Sequence, residues 1–149
     1  MKPVNQKVIS QGKGDCWRCC IASILELNAD DVPNFVGDSD HSKGIIAEDL
    51  ARKWLAERGL FILEIYLHND LKWYCALNWT HLRNVYCIMS VPSQKFPGGS
   101  HAVVGQFVKD KQGTELRVVH DPNPENEAYD HEVKISRLQF IVPFKLQIN

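Results

Sequence analysis

Three of the five cysteines, Cys16, Cys19 and Cys20, crowd into the stretch "GDCWRCCIASILEL". Thiols at this density serve as a nucleophile, a redox pair, metal ligands or packing. Cys16 and Cys19 have the spacing of a redox pair. Such a pair follows a buried strand in a βαβ unit, and "SQGKG" is not one. Structural zinc takes two close ligand pairs, and the chain offers no second Cys-x-x-Cys or His-x₃-His. The nucleophile reading rests on position. Cys16 falls where a glycine-containing loop turns into a helix, and the unpaired N–H groups of a first helical turn favour an anion. A thiolate is the reactive form of cysteine. Cys19 and Cys20 lie deeper in the helix and read as small hydrophobes.

A thiolate nucleophile needs a proton shuttle. In "HAVVGQFVKDKQGTELRVVHD", two β-type runs flank a polar turn and should pair antiparallel. A turn centred near Lys111 and Gln112 makes paired positions sum to about 222 or 223, by hairpin geometry. His101 then lies opposite Asp121 or its neighbour, and His120 points to the other face. A slip of one residue exchanges Asp121 and His120. An aspartate beside an imidazole fixes its tautomer and supports the imidazolium. Taken singly, His101 merely begins a strand, and Asp121 opens an Asp-Pro turn.

Attack on an acyl carbon creates an oxyanion, which needs donors already in place. The backbone N–H of Cys16 is one. The side-chain amide of Gln6 or Gln11 is the second, although either glutamine alone reads as an ordinary surface residue. Gln6 is favoured because it ends a strand-like segment that can hold a side chain rigidly.

These groups must be positioned by elements legible in the sequence. "PVNQKVIS" has β-type character, and "SQGKGD" is a loop with Asp15 as candidate helix N-cap. Apolar spacing predicts a substantially buried helix over Cys16–Leu27, which "NADDVPNF" ends, and another from about Gly44 to Arg58, ended by Gly59. "LFILEIYL", "NVYCIMSV", "HAVVGQFV", "ELRVVHD" and "RLQFIVPF" read as strands. "SQKFPGGS" reads as a loop that can wall a cleft. "PNPENEAYD" is irregular and acidic and reads as a solvated face. Residues 68–84 fit either helix or loop. Helices first and then mainly antiparallel strands predict an α+β class in a single domain, 1–149.

The order Gln, loop, Cys at a buried helix, then His and Asp on a later hairpin resembles the papain-like cysteine peptidases. More narrowly, "GDCWRCCIASILEL" with "VPNF", "GSHAVVG" and "VVHDPNP" are similar to the bacteriocin-leader-peptidase-like branch and its small bacterial and phage relatives. The resemblance covers the whole chain in order, with the two motif blocks specific and the middle not. It implies a papain-like fold, Cys16 as nucleophile, His101 as general base and acid, and Asp121 as orienter. It implies a cysteine hydrolase acting on an amide, peptide or isopeptide bond of a protein or peptide substrate, with no cofactor and no metal. The glutamine of that family stands about six residues before the cysteine, between the offsets of Gln11 and Gln6. Trp17 replaces a glycine common in leader peptidases and is expected to narrow the cleft.

Composition restricts the alternatives. A net charge of −1 over 149 residues gives no electrostatic footprint for nucleic acid and no polybasic membrane anchor. No apolar run reaches a membrane span, and "MKPVNQKVIS" has no signal-peptide core. An odd number of cysteines without framework spacing reads as reduced thiols in a cytoplasm. The competing class is a catalytically silent module that keeps the cleft and sequesters a protein or small molecule. Acyl transfer or deamidation would use the same machinery, and the sequence does not fix the oligomeric state.

Overall fold

The computed structural model describes residues 1–67, 82, 84–109, 114–129 and 133–144. Helix α1 (Cys16–Leu25) is followed by a short α2 (Phe35–Asp38) and by α3 (Ala47–Ala56). Strands β1 (Leu60–Tyr66), β2 (Tyr86–Pro92), β3 (Ser100–Lys109), β4 (Thr114–His120) and β5 (Arg137–Pro143) form one sheet in the order β1-β5-β2-β3-β4. Every pairing is antiparallel. The chain is therefore α+β, with the N-terminal helix packed on the sheet. Among the described residues no helix is long and apolar enough to cross a membrane.

Two cores lie on opposite faces of the sheet. Strand alternation sends Ala102, Val104 and Ile88 toward the helices, where they join Ile21, Leu55 and Phe35. Val103, Phe107, Met89 and Val91 face the other way and meet Leu138 and Phe140. Full burial of such side chains contributes about 1.5–3 kcal/mol each. On the helical side Trp17, Phe35 and Trp54 pack edge-on in series, with centroids 5.8 and 6.0 Å apart. Trp17 donates its indole N–H to Gln139 Oε1 at 2.9 Å. Its bulk is thus spent in the core, and it does not line the site's cleft.

Several elements differ from the expectations. Helix α1 stops at Leu25 because Glu26 turns left-handed at φ 59°, and its N–H reaches back to Ala22 and Ser23. Asn28 caps a 3₁₀ turn over Ala29–Asp31, and Asn34 caps α2, so "NADDVPNF" contains helical turns. Helix α3 starts three residues later than its spacing suggests. Residues 40 and 45 form an isolated bridge, and Ile46, at φ −103° and ψ 133°, is extended. Ile46 is accordingly exposed, and Ala51, Trp54 and Leu55 carry the buried face. The ambiguous segment 68–84 and the hairpin turn lie largely outside the described residues.

"PVNQKVIS" forms no strand and joins no sheet. Side chains and loop carbonyls replace the ladder. Val4 N–H donates to Ser23 Oγ at 3.0 Å, Gln6 N–H to Pro122 O at 2.8 Å, and Val8 N–H to Asp15 Oδ1 at 2.9 Å. The segment is a strap tying α1 to the end of β4.

Candidate active site

Cys16 is the first residue of α1, and the loop before it is held by Asp15. The Asp15 side chain makes no capping hydrogen bond, contrary to the expectation for that position. It is fully buried and accepts from Lys7 N–H, Val8 N–H and the Arg18 guanidinium. A carboxylate committed to the strap leaves the first turn of α1 open to a substrate anion. The loop is tight at Gly14, where a Cβ would come within 2.9 Å of Ser10 O. A residue larger than glycine there would push Cys16 off its place.

His101 begins β3 and is 7% exposed. Its Nε2 lies 2.7 Å from Asp121 Oδ1. With Nε2 so engaged, the other ring nitrogen remains for Cys16, which lines the same cleft and lies near enough to act on the ring's pKa. Burial on its own would push the imidazole pKa down. The bond to Asp121, the neighbouring Cys16 and their negative charges outweigh it and carry the pKa from 6.5 up to about 9. Burial works in the opposite sense on Asp121 and would raise its carboxyl. Bonds from His101, the Asn126 amide and Asn123 N–H reverse this and hold it below the usual carboxylate range. The pair is charged at neutral pH.

A bulge in β4 selects Asp121 rather than His120. From Lys109↔Thr114 to Gly105↔Val118 the paired positions sum to 223, but the next pair is Val104↔His120. Val119 is the extra, unpaired residue. A regular ladder would have put His120 opposite Val103 and Asp121 opposite Ala102, on the helical face. The bulge turns His120 onto the face of Val104, where its Nε2 meets Val4 O at 2.9 Å. Asp121 is thereby aimed at the face that His101 shares with Val103. Bulges that re-aim one side chain beside a site are a recurrent device.

The segment after Asp121 then locks it. Asn123 N–H donates to Oδ1 at 2.7 Å, Asn126 Nδ2 to Oδ2 at 2.9 Å, and Asn123 Nδ2 to Asn126 Oδ1 at 2.8 Å. Asn123 is 3% exposed, so this acidic stretch is not simply a solvated face. Sequence reasoning missed both asparagines. Their signal was present in "DPNPEN", where Asn between prolines marks side-chain-to-backbone turns.

Gln6 lines the same small cleft as Cys16 and His101. Its backbone N–H is pinned to Pro122 O, while its Oε1 is buried without a hydrogen-bond partner among the described residues. Gln11 sits exposed in the turn before Gly12 and does not line the cleft. The structure thus brings Cys16, His101, Asp121 and Gln6 together and leaves Gln11 outside. The opposite wall comes from the loop 93–99. Gln94 exchanges two 2.9 Å bonds with the backbone of Glu127, and Lys95 pairs with Glu125. The "SQKFPGGS" loop is therefore a pinned wall, with Phe96 facing the cleft.

The remaining described cysteines lie apart from this chemistry. Burial pushes the thiols of Cys19 and Cys87 up to about 12 and that of Cys20 well above the ordinary value. Cys16, Cys19, Cys20 and Cys87 are all free. Among the described residues no group of three His, Cys, Asp or Glu side chains is placed to hold a metal ion. In comparisons with known proteins, no family model, no curated protein and no solved structure matches the chain.

Proposed function

We propose that the chain is a papain-like cysteine hydrolase that cleaves an acyl–nitrogen bond through Cys16, His101 and Asp121. One observation carries the reading: a buried imidazole bonded to a carboxylate at 2.7 Å, in a cleft it shares with the cysteine that opens α1. Cys16 as thiolate attacks the carbonyl carbon. The oxyanion is met by the Cys16 N–H and the Gln6 amide. The His101 imidazolium gives its proton to the leaving amine, and a thioester forms. Water then adds as His101 takes its proton, the C–S bond breaks, and the thiolate–imidazolium pair returns. Asp121 keeps the ring oriented throughout. The free thiols fit a reducing, cytoplasmic setting.

The test is turnover of chromogenic amide and ester substrates by wild type and Cys16→Ala. The variant should lose about three orders of magnitude or more in kcat, since it removes the nucleophile. Equal turnover by the two proteins sinks the proposal. So does a wild type that neither turns substrate over nor labels with iodoacetamide at Cys16, an outcome that favours the sequestering module.

A further inference from the structure

The cleft around Cys16 is small, and apart from His101 and Lys95 its lining is uncharged. Its cavity volume is about 40 Å³, space for about three water-sized groups. Gln6, Ser93, Ser100, Asn123 and Asn126 contribute amides and hydroxyls to it, and among the described residues no aspartate or glutamate lines it. Beyond His101, its cation is Lys95, which is already paired with Glu125. The wall cannot swing out without breaking that pair and both Gln94–Glu127 bonds.

Gln6 adds a directional requirement. Its Oε1 is a buried acceptor with no donor among the described residues, and an unmet buried polar atom costs about 1–3 kcal/mol. The other end of the same amide is an N–H donor. Donor and acceptor side by side match a group that presents C=O and N–H on one edge. A primary carboxamide does so, because one of its two N–H bonds lies on the same side as the oxygen. A trans peptide bond cannot, because its N–H and C=O point in opposite directions.

Resting on the hydrolase reading, we infer that the substrate group is a primary carboxamide on a slim chain, the side chain of a glutamine, and that the reaction is deamidation. Cys16 Sγ bonds to the δ-carbon and the C–N bond breaks. The nitrogen leaves as ammonia with the proton from His101. Water, deprotonated by His101, then releases the product as glutamate. One water is consumed and one ammonia formed, with no change in oxidation state.

The experiment compares two electrophiles on the intact protein, each rate divided by its rate with glutathione. One is a peptide whose glutamine carboxamide is replaced by a diazoketone. The other is a peptide chloromethyl ketone, whose reactive carbon stands at a main-chain carbonyl. The expected result is labelling of Cys16 at least tenfold faster by the first. Equal or faster labelling by the chloromethyl ketone overturns the inference while leaving the hydrolase reading intact. Failure of both probes and of iodoacetamide at Cys16 overturns both together. Gln94→Ala, which unpins the wall, should raise the chloromethyl ketone rate severalfold. An unchanged rate overturns the claim that the wall sets the width.

Discussion

The first two turns of α1 carry the same side chain in opposed surroundings. Cys16 opens the helix at the cleft, beside a charged imidazole and an uncapped first turn. Cys20, one turn later, is fully buried against the sheet, and burial first, with neighbouring negative charge added, pushes its thiol well up. On the proposed reading, one helical turn of displacement, not residue type, sets which thiol can react. Four measurements would break or sharpen it.

The largest contrast should be in labelling. Iodoacetamide should modify Cys16 at least a hundredfold faster than Cys19, Cys20 or Cys87, read by peptide mass mapping, because Cys16 opens to the cleft while burial shields the other three and pushes their thiols up. Parallel labelling of the four would erase the distinction. Next comes the support of the imidazole. Asp121→Asn should lower kcat by roughly ten- to a hundredfold, with smaller loss in binding, by removing the charge that stabilises the imidazolium. Deletion of Val119 should do at least as much damage, because it returns Asp121 to the wrong face.

The third effect is on stability. His101 titrates near 6.5 when unfolded and near 9 when folded. Its protonated form therefore stabilises the fold fully below pH 6.5, and that contribution falls away as pH rises through about 9. Urea unfolding should show a decline of about 1–2 kcal/mol over this window, allowing for partial screening, and Asp121→Asn should flatten it. The smallest effect belongs to the inner cysteine. Cys20→Ala should cost about 1 kcal/mol in chemical unfolding through the cavity it leaves, with kcat unchanged within twofold.

What could be seen in the sequence followed local rules. Helical spacing placed Cys16 at the head of α1, and the symmetry of the hairpin brought His101 and Asp121 into one neighbourhood. The bulge left no mark in β4, where Val118 and Val119 are both β-branched; its one cue was Gly105 on the paired strand, beside which the register shifts. The choice between Gln6 and Gln11 turned on a strap that looked like a strand, since its hydrogen bonds come from Asp15 and Ser23 rather than a neighbouring ladder. The place of β5 between β1 and β2 was equally hidden. It depends on pairings such as Ile88↔Gln139, made by residues far apart in the chain.

The unpaired Val119 also governs how this chain must be matched to any other. Sliding a comparison by a single position across residues 118–120 would hand the orienting role to an imidazole that in fact holds the N-terminal strap. Gaps in that region have to be placed by which partner on β3 each side chain faces, since similarity of letters would be satisfied equally well by the wrong answer.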